Sequence, residues 1–381
     1  MRPSRWTPDR RPAMMKVTYH IFPAEDESLE EKVESICLEQ SVELPRRVLP
    51  GRIAREVVGE PLDAEALEEE GHRVTIGWNP ELTRGDLSQF LNTLYGNISL
   101  QAGIRVAAVD WNSLPDGLFG GPAFGIGVLR ESWDLDGRPL CATSLKPAGS
   151  TAEELGELCR AFAAGGMDIM KDDHGVSDQA WAPFGERVRR CVEGVRHAEQ
   201  ETGHRARYFA HITARADRCV ERYRRAAELG ADGALVCPHI AGMETMHQLA
   251  RMDLSLPIIA HPAFSGGLTT HPHQGLTPDL LYGQLWRALG ADLVVYPNTG
   301  GRFSFSLAEC ESINKAARRG DLPFPSAFPM PGGGMRLENI PRWMETYGPD
   351  TVFLLGTSLY EHPGGVREAA RELAAMLKGS E

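Results

Sequence analysis

The chain has 381 residues, a formal net charge of −12 and 42% hydrophobic residues, a length above that of one average domain. No basic tract follows the first dozen residues and no run of eighteen apolar residues occurs, so neither a nucleic-acid partner nor a membrane span is expected. The seven cysteines are scattered and never in CxxC spacing, which argues against a disulfide framework or a zinc site and for reduced thiols in a cytoplasmic protein.

In chain order, residues 1–14 are basic but lack the apolar stretch of a signal peptide, and read as a disordered leader. Residues 15–135 read as a small α+β domain, with an alternating strand near 16–21, an acidic helix near 28–39, a strand near 72–78 and a helix near 85–94. Glu65, Glu68, Glu69 and Glu70 read as a solvated acidic face. From 136 to 381 one pattern recurs eight times: a short apolar run, a polar or glycine-rich loop, then a longer amphipathic segment. Strands are expected at 140–146, 167–171, 207–213, 233–238, 256–261, 292–297, 325–331 and 351–356. Helices are expected at 152–164, 184–201, 214–229, 278–289, 307–319 and 365–377. The fold class is therefore α/β, a C-terminal (βα)8 TIM barrel preceded by a smaller α+β domain.

In such a barrel the active site forms at the carboxyl ends of the strands. The residues there are Lys146; Lys171, Asp173 and His174; His211; His239; His261; Tyr296, Asn298 and Arg302; Gly332, Gly333 and Gly334; Gly356 and Thr357. Most informative is the segment from Gly165 to His174, an apolar run that turns abruptly ionic. Asp173 and His174 can ligate a hard divalent cation, whereas a free ammonium at Lys171 cannot, because its lone pair carries a proton. Addition of carbon dioxide would make Lys171 an anionic oxygen ligand. A Lys-Asp ion pair capping the strand accounts for the same residues equally well.

Lys146 precedes Pro147 at the end of the first barrel strand, where it can polarise a carbonyl, exchange a proton or form a Schiff base, or simply stand exposed on a loop. The glycines at 332–334 and Gly356-Thr357 follow the seventh and eighth strands, a common phosphate-binding address, although glycine also makes ordinary turns. His261 ends an apolar strand and suits acid-base work or hydroxyl binding. His211 and His239 have similar addresses and serve equally as hydrogen-bonded fillers; His271, His273 and His362 sit in loops. Residues 298–303 read as a mobile lid, with Arg302 able to reach an anion.

These blocks resemble the ribulose bisphosphate carboxylase large-chain family, and more closely its RuBisCO-like, form IV, members. The likeness runs from Val17-Thr18-Tyr19 to the last strand. Its most specific part is the segment from Gly165 to His174, which resembles the family's metal-binding signature, supported by Leu145-Lys146-Pro147, Tyr95-Gly96-Asn97, Gly120-Gly121-Pro122 and the glycine loops. The resemblance implies Mg²⁺ held by Asp173, His174 and Lys171, the last carbamylated by CO₂, with Lys146 near the substrate carbonyl and His261 as the barrel histidine. It implies phosphate binding at Gly333, Gly334, Gly356 and Thr357. It also implies a homodimer whose active site is shared between subunits, Glu39 and Asn97 reaching across.

The departures narrow the reaction. Where carboxylases carry glutamate, lysine, arginine, histidine and the lid lysine, this chain has His174, Ala148, Pro262, Tyr296 and Arg302, and the Thr-Trp pair is missing after Glu39-Gln40-Ser41. One of the two phosphate sites of a bisphosphate is thereby lost, and so is the means to stabilise added carbon dioxide. The resemblance then implies an enzyme that is not a CO₂-fixing carboxylase but enolises or isomerises a phosphorylated keto sugar of the methylthio-pentose type through an enediolate. A decarboxylase or transcarboxylase/hydrolase of a branched 3-oxo acid sugar phosphate, and a non-catalytic binding or regulatory barrel, are the competing readings.

Overall fold

A computed structural model describes residues 14–379 apart from Glu69, Asp116 and Ser255; the expected leader lies outside the described residues except for Met14. In chain order the strands are β1 (Met15–Ile21), β2 (Glu60–Ala66), β3 (His72–Trp78), β4 (Ile104–Val109), β5 (Leu140–Leu145), β6 (Ile169–Asp172), β7 (Arg207–His211), β8 (Gly233–Val236), β9 (Ile258–Ala260), β10 (Gly275–Leu276), β11 (Leu293–Pro297), β12 (Phe328–Gly332) and β13 (Val352–Leu355). Two compact units share them. The smaller comprises 14–119, Gly266–Leu281 and Asp321–Pro323; the larger comprises Gly120–Ser265, Tyr282–Gly320 and 324–379.

The small unit is a five-stranded sheet in the order β10-β4-β1-β3-β2. Alternation places Met15, Val17, Tyr19 and Ile21 of β1 on one buried face. The acidic helix Leu29–Glu39 starts at Ser28, whose side chain closes a capping box with Glu31. β2 was not expected, because its Glu, Pro and Asp residues disfavour strands. Antiparallel pairing with β3 overrides that preference. Glu65, Glu68 and Glu70 are exposed, as a solvated face requires, and Glu65 pairs with Arg73 at 3.0 Å; Glu69 falls outside the described residues. The short β10, donated by the segment after β9, was also missed, as was β4.

The larger unit holds the eight expected strands as a closed parallel barrel, β5-β6-β7-β8-β9-β11-β12-β13. Its interior is built from every second residue: Leu140 and Ala142, Ile169, Phe209, Leu235, Ile259, Leu293 and Val295, Phe328 and Met330, Val352. Gly233 makes room for Phe209, since a Cβ there would lie 2.2 Å from the ring. Residues 125–132, which the expected bounds of 15–135 assign to the N-terminal domain, form a helix that puts Ile126 and Leu129 into this same core. The division between units consequently falls at 119/120 rather than at 135. The segment expected as a helix at 278–289 is a π-helix over Asp279–Leu285 followed by one α turn. All seven cysteines are free and buried. Among the described residues no helix is long and apolar enough to cross a membrane.

Candidate active site at the barrel mouth

Carrying the inward parity two residues further along each strand reaches the mouth: Ser144 and Lys146 beyond Ala142, Lys171 and Asp173 beyond Ile169, His211 beyond Phe209, Cys237 beyond Leu235, His261 beyond Ile259. Lys171 is fully buried; its Nζ donates to Ser144 Oγ at 3.2 Å and to the Asp172 carbonyl at 3.1 Å. Asp173 Oδ2 accepts from Ser144 Oγ at 3.2 Å and from the Lys146 ammonium, while Oδ1 accepts from the Gly175 N–H at 2.9 Å. Lys146 is half-exposed and Asp173 nearly buried, so the pair has one end in the protein and the other facing outward.

Burial pushes the Lys171 amine down to about 8, against the attraction of Asp173 and with help from the charge of Lys146. For Asp173 burial acts upward, but the hydrogen bonds from Lys146 and Gly175 outweigh it and hold the carboxyl well below its usual range. His174 stacks on His261 with centroids 4.3 Å apart and planes 21° apart, and its Nδ1 lies 3.7 Å from Asp173 Oδ1. Burial lowers both imidazoles, His261 the more strongly. The Ala263 N–H donates to His261 Nδ1 at 3.2 Å, so the neutral ring carries its proton on Nε2 and is a donor there. His211 has the opposite tautomer. Its Nδ1 donates to the Val176 carbonyl at 2.7 Å, leaving the Nε2 lone pair 3.9 Å from Cys237 Sγ, and burial lowers the ring to about 4.

Gly333 and Gly334 both have left-handed φ angles, 86° and 71°, which glycine adopts without strain. The segment expected as a lid rests on them: a Cβ at Gly334 would lie 2.6 Å from the Gly301 nitrogen. Arg302 stacks on Phe303 at 5.4 Å, and its charge is among those lowering His174. After β13, Gly356 is the N-cap of the four-residue helix Thr357–Tyr360. In the small unit Asn97 Nδ2 donates to Glu39 Oε1 at 3.0 Å, so these two residues do meet.

Three residues assigned to the rim are elsewhere. Tyr296 and Asn298 have outward parity: Tyr296 OH accepts from Asn314 Nδ2 at 3.4 Å, and Asn298 Oδ1 accepts from Tyr347 OH at 2.5 Å. His239, on the short helix after β8, lies against Trp286 with centroids 5.8 Å apart. Conversely, Ser144 and Cys237 belong to the mouth and were overlooked, although the two-residue step from Ala142 and from Leu235 points to each.

Among the described residues no three His, Cys, Asp or Glu side chains converge to hold a metal ion. Asp173 and His174 supply two adjoining donors, and a third on this side requires Lys171 as an oxygen ligand. The residues fit a divalent cation on that condition, because the depressed amine has the neutral fraction that addition of carbon dioxide needs.

Residues 125–303 match the family model described as ribulose bisphosphate carboxylase large chain, catalytic domain. A 5-methylthioribulose-1-phosphate isomerase from Rhodospirillum rubrum is 33% identical over 371 residues, 96% of each chain. A 2,3-diketo-5-methylthiopentyl-1-phosphate enolase from Bacillus pumilus is 32% identical, covering 91% of this chain and 88% of its own length. The crystal structure of a Rubisco-like protein from Rhodopseudomonas palustris superposes with a TM-score of 0.86 at 31% identity, covering 97% of this chain and 99% of that one.

Proposed function

The chain belongs to the ribulose bisphosphate carboxylase large-chain family, in its RuBisCO-like form IV branch, and on that footing we propose that it enolises or isomerises a phosphorylated keto sugar. The substrate class is a methylthio-pentose phosphate, the chemistry named for both the isomerase and the enolase relatives. Each such substrate has one phosphate and a carbon acid beside a carbonyl. The observation that carries the reading is the convergence of Lys171, Ser144, Asp173, Lys146, His174 and His261 at one end of a closed barrel.

Asp173, His174 and Lys171 as its carbamate are the residues that would hold a divalent cation, Mg²⁺ by the family resemblance. When bound, it would polarise the carbonyl and steady charge that builds on its oxygen. Lys146, half-exposed and tethered by Asp173, moves a proton at the carbon beside the carbonyl or at its oxygen. His261 donates from Nε2–H to a substrate oxygen. Its Nδ1 lone pair is already engaged, which suits it to orienting the substrate rather than to removing the carbon-bound proton. Gly333, Gly334, Gly356 and Thr357 receive the single phosphate, with Arg302 closing over it. The functional assembly is a homodimer, the small unit of one copy bringing Glu39 and Asn97 to the mouth of the other.

The test is deuterium incorporation, followed by NMR, into 5-methylthioribulose 1-phosphate and the 2,3-diketo phosphate in deuterated water with Mg²⁺ and bicarbonate. Wild-type protein is expected to exchange one of them and Lys171→Ala neither. Exchange that persists in Lys171→Ala would overturn the assignment.

A further inference from the structure

The last hydrogen-bonded rung between β13 and β5 pairs Leu355 with Thr143, whose Oγ1 also donates to the Leu355 carbonyl at 3.0 Å. Beyond that rung β5 has lost its neighbour on this side, yet Ser144 and Lys146, which the mechanism needs in register, lie beyond it. A single phenol stands in for the missing strand. Tyr360 OH donates to the Ser144 carbonyl at 2.8 Å and accepts from the Lys146 N–H at 2.9 Å. A parallel strand bonds to its neighbour through the C=O of one residue and the N–H two residues on, and a hydroxyl, being both donor and acceptor, can satisfy that pair alone. The ring itself is fixed edge-on against Phe162, with centroids 5.5 Å apart.

We propose that Tyr360 is a positioning residue of the active site, extending β5 past the end of its ladder so that Lys146 is held against Asp173. This rests on the reading of Lys146 as the proton-handling group. Tyr360 acts through the backbone that carries Lys146 and need not touch the substrate. The geometry favours Tyr over Phe, whose ring would fill the same space without either bond.

The variant Tyr360→Phe retains the contact with Phe162 and deletes only the hydroxyl. Its kcat for deuterium exchange is expected to fall at least tenfold, with KM changed less than threefold. In a Lys146→Gln background the same substitution should cost less than threefold more, because its effect runs through Lys146. Equal losses in both backgrounds would mean that Tyr360 supports the fold alone, and no loss in either would also overturn the proposal. A substrate-free measurement separates this from failure of the enzymatic reading. After reductive ¹³C-methylation, the NMR signal of Lys146, assigned through Lys146→Arg, should shift or broaden in Tyr360→Phe while the other lysine signals stay in place. An unmoved Lys146 signal counts against the proposal even if no substrate is turned over; wild-type protein that exchanges no phosphorylated keto sugar counts against the parent reading only.

Discussion

The ends of β6 and β11 were alike in sequence, each an apolar run closing on polar residues, and they ended in opposite layers of the barrel. On β6 the parity set by Ile169 turns Lys171 and Asp173 into the mouth and Asp172 toward the helices. On β11 Leu293 and Val295 take the inward positions, so Tyr296 and Asn298 face outward and build wall rather than site. Asp172 shows the contrast within one dipeptide. It accepts from Arg187 Nε at 3.0 Å, Tyr208 OH at 2.9 Å and the His211 N–H at 2.9 Å, all buried. Arg187 in turn donates to the Ser177 and Ala182 carbonyls, tying down the loop that carries His174. Two adjacent carboxylates thus have separate duties, one arranging the scaffold and one the chemistry.

Four substitutions and titrations test that division. Asp173→Asn should lower deuterium exchange by roughly 10²–10⁴-fold, the range expected when a proton-transfer group loses its setting, with a smaller loss of stability than at Asp172 because its partner Lys146 is half-exposed and returns to water. Asp172→Ala should do the reverse, costing about 3–5 kcal/mol of stability because Arg187 is left buried without its anion. Chemical denaturation measures it, and a loss below about 1 kcal/mol would contradict the wall assignment. The next effect is a pH dependence. Only the neutral amine of Lys171 adds carbon dioxide, and burial places its titration near 8 rather than 10.5, so bicarbonate-dependent activation should grow as pH rises through about 8. A flat profile would remove carbamylation. Linkage has the same sign, since between about 8 and 10.5 the unfolded chain holds more of this proton, and the residue's contribution to stability rises with pH across that window. Smallest is Tyr296→Phe, which breaks one long hydrogen bond to Asn314 and should cost about 1 kcal/mol of stability while leaving exchange rates unchanged.

Much of the barrel was legible because each strand is a short apolar run bounded by breakers, and each helix carries one apolar face. Ala152–Ala164 was read to the residue from its amphipathic pattern, and in the structure a capping box between Thr151 and Glu154 starts it. The motif at Lys171, Asp173 and His174 was legible for a similar reason, being ionic where packing would want apolar. Less visible were β2 and β10. The first contradicts its own propensity and the second is two residues long, so each exists only because a neighbouring strand offers its hydrogen bonds.

The sequence alone determined the eightfold alternation, the apolar stripes and the identity of the groups at the strand ends, all of which depend on residues near one another in the chain. Which of those groups meet was decided by tertiary structure: barrel closure brings Ser144, Lys146, Asp173, His174 and His261 together from three strands, and brings Tyr360 back to the strand it completes. Inward or outward direction follows the same rule, because a side chain's parity acquires a meaning only once the sheet has an inside.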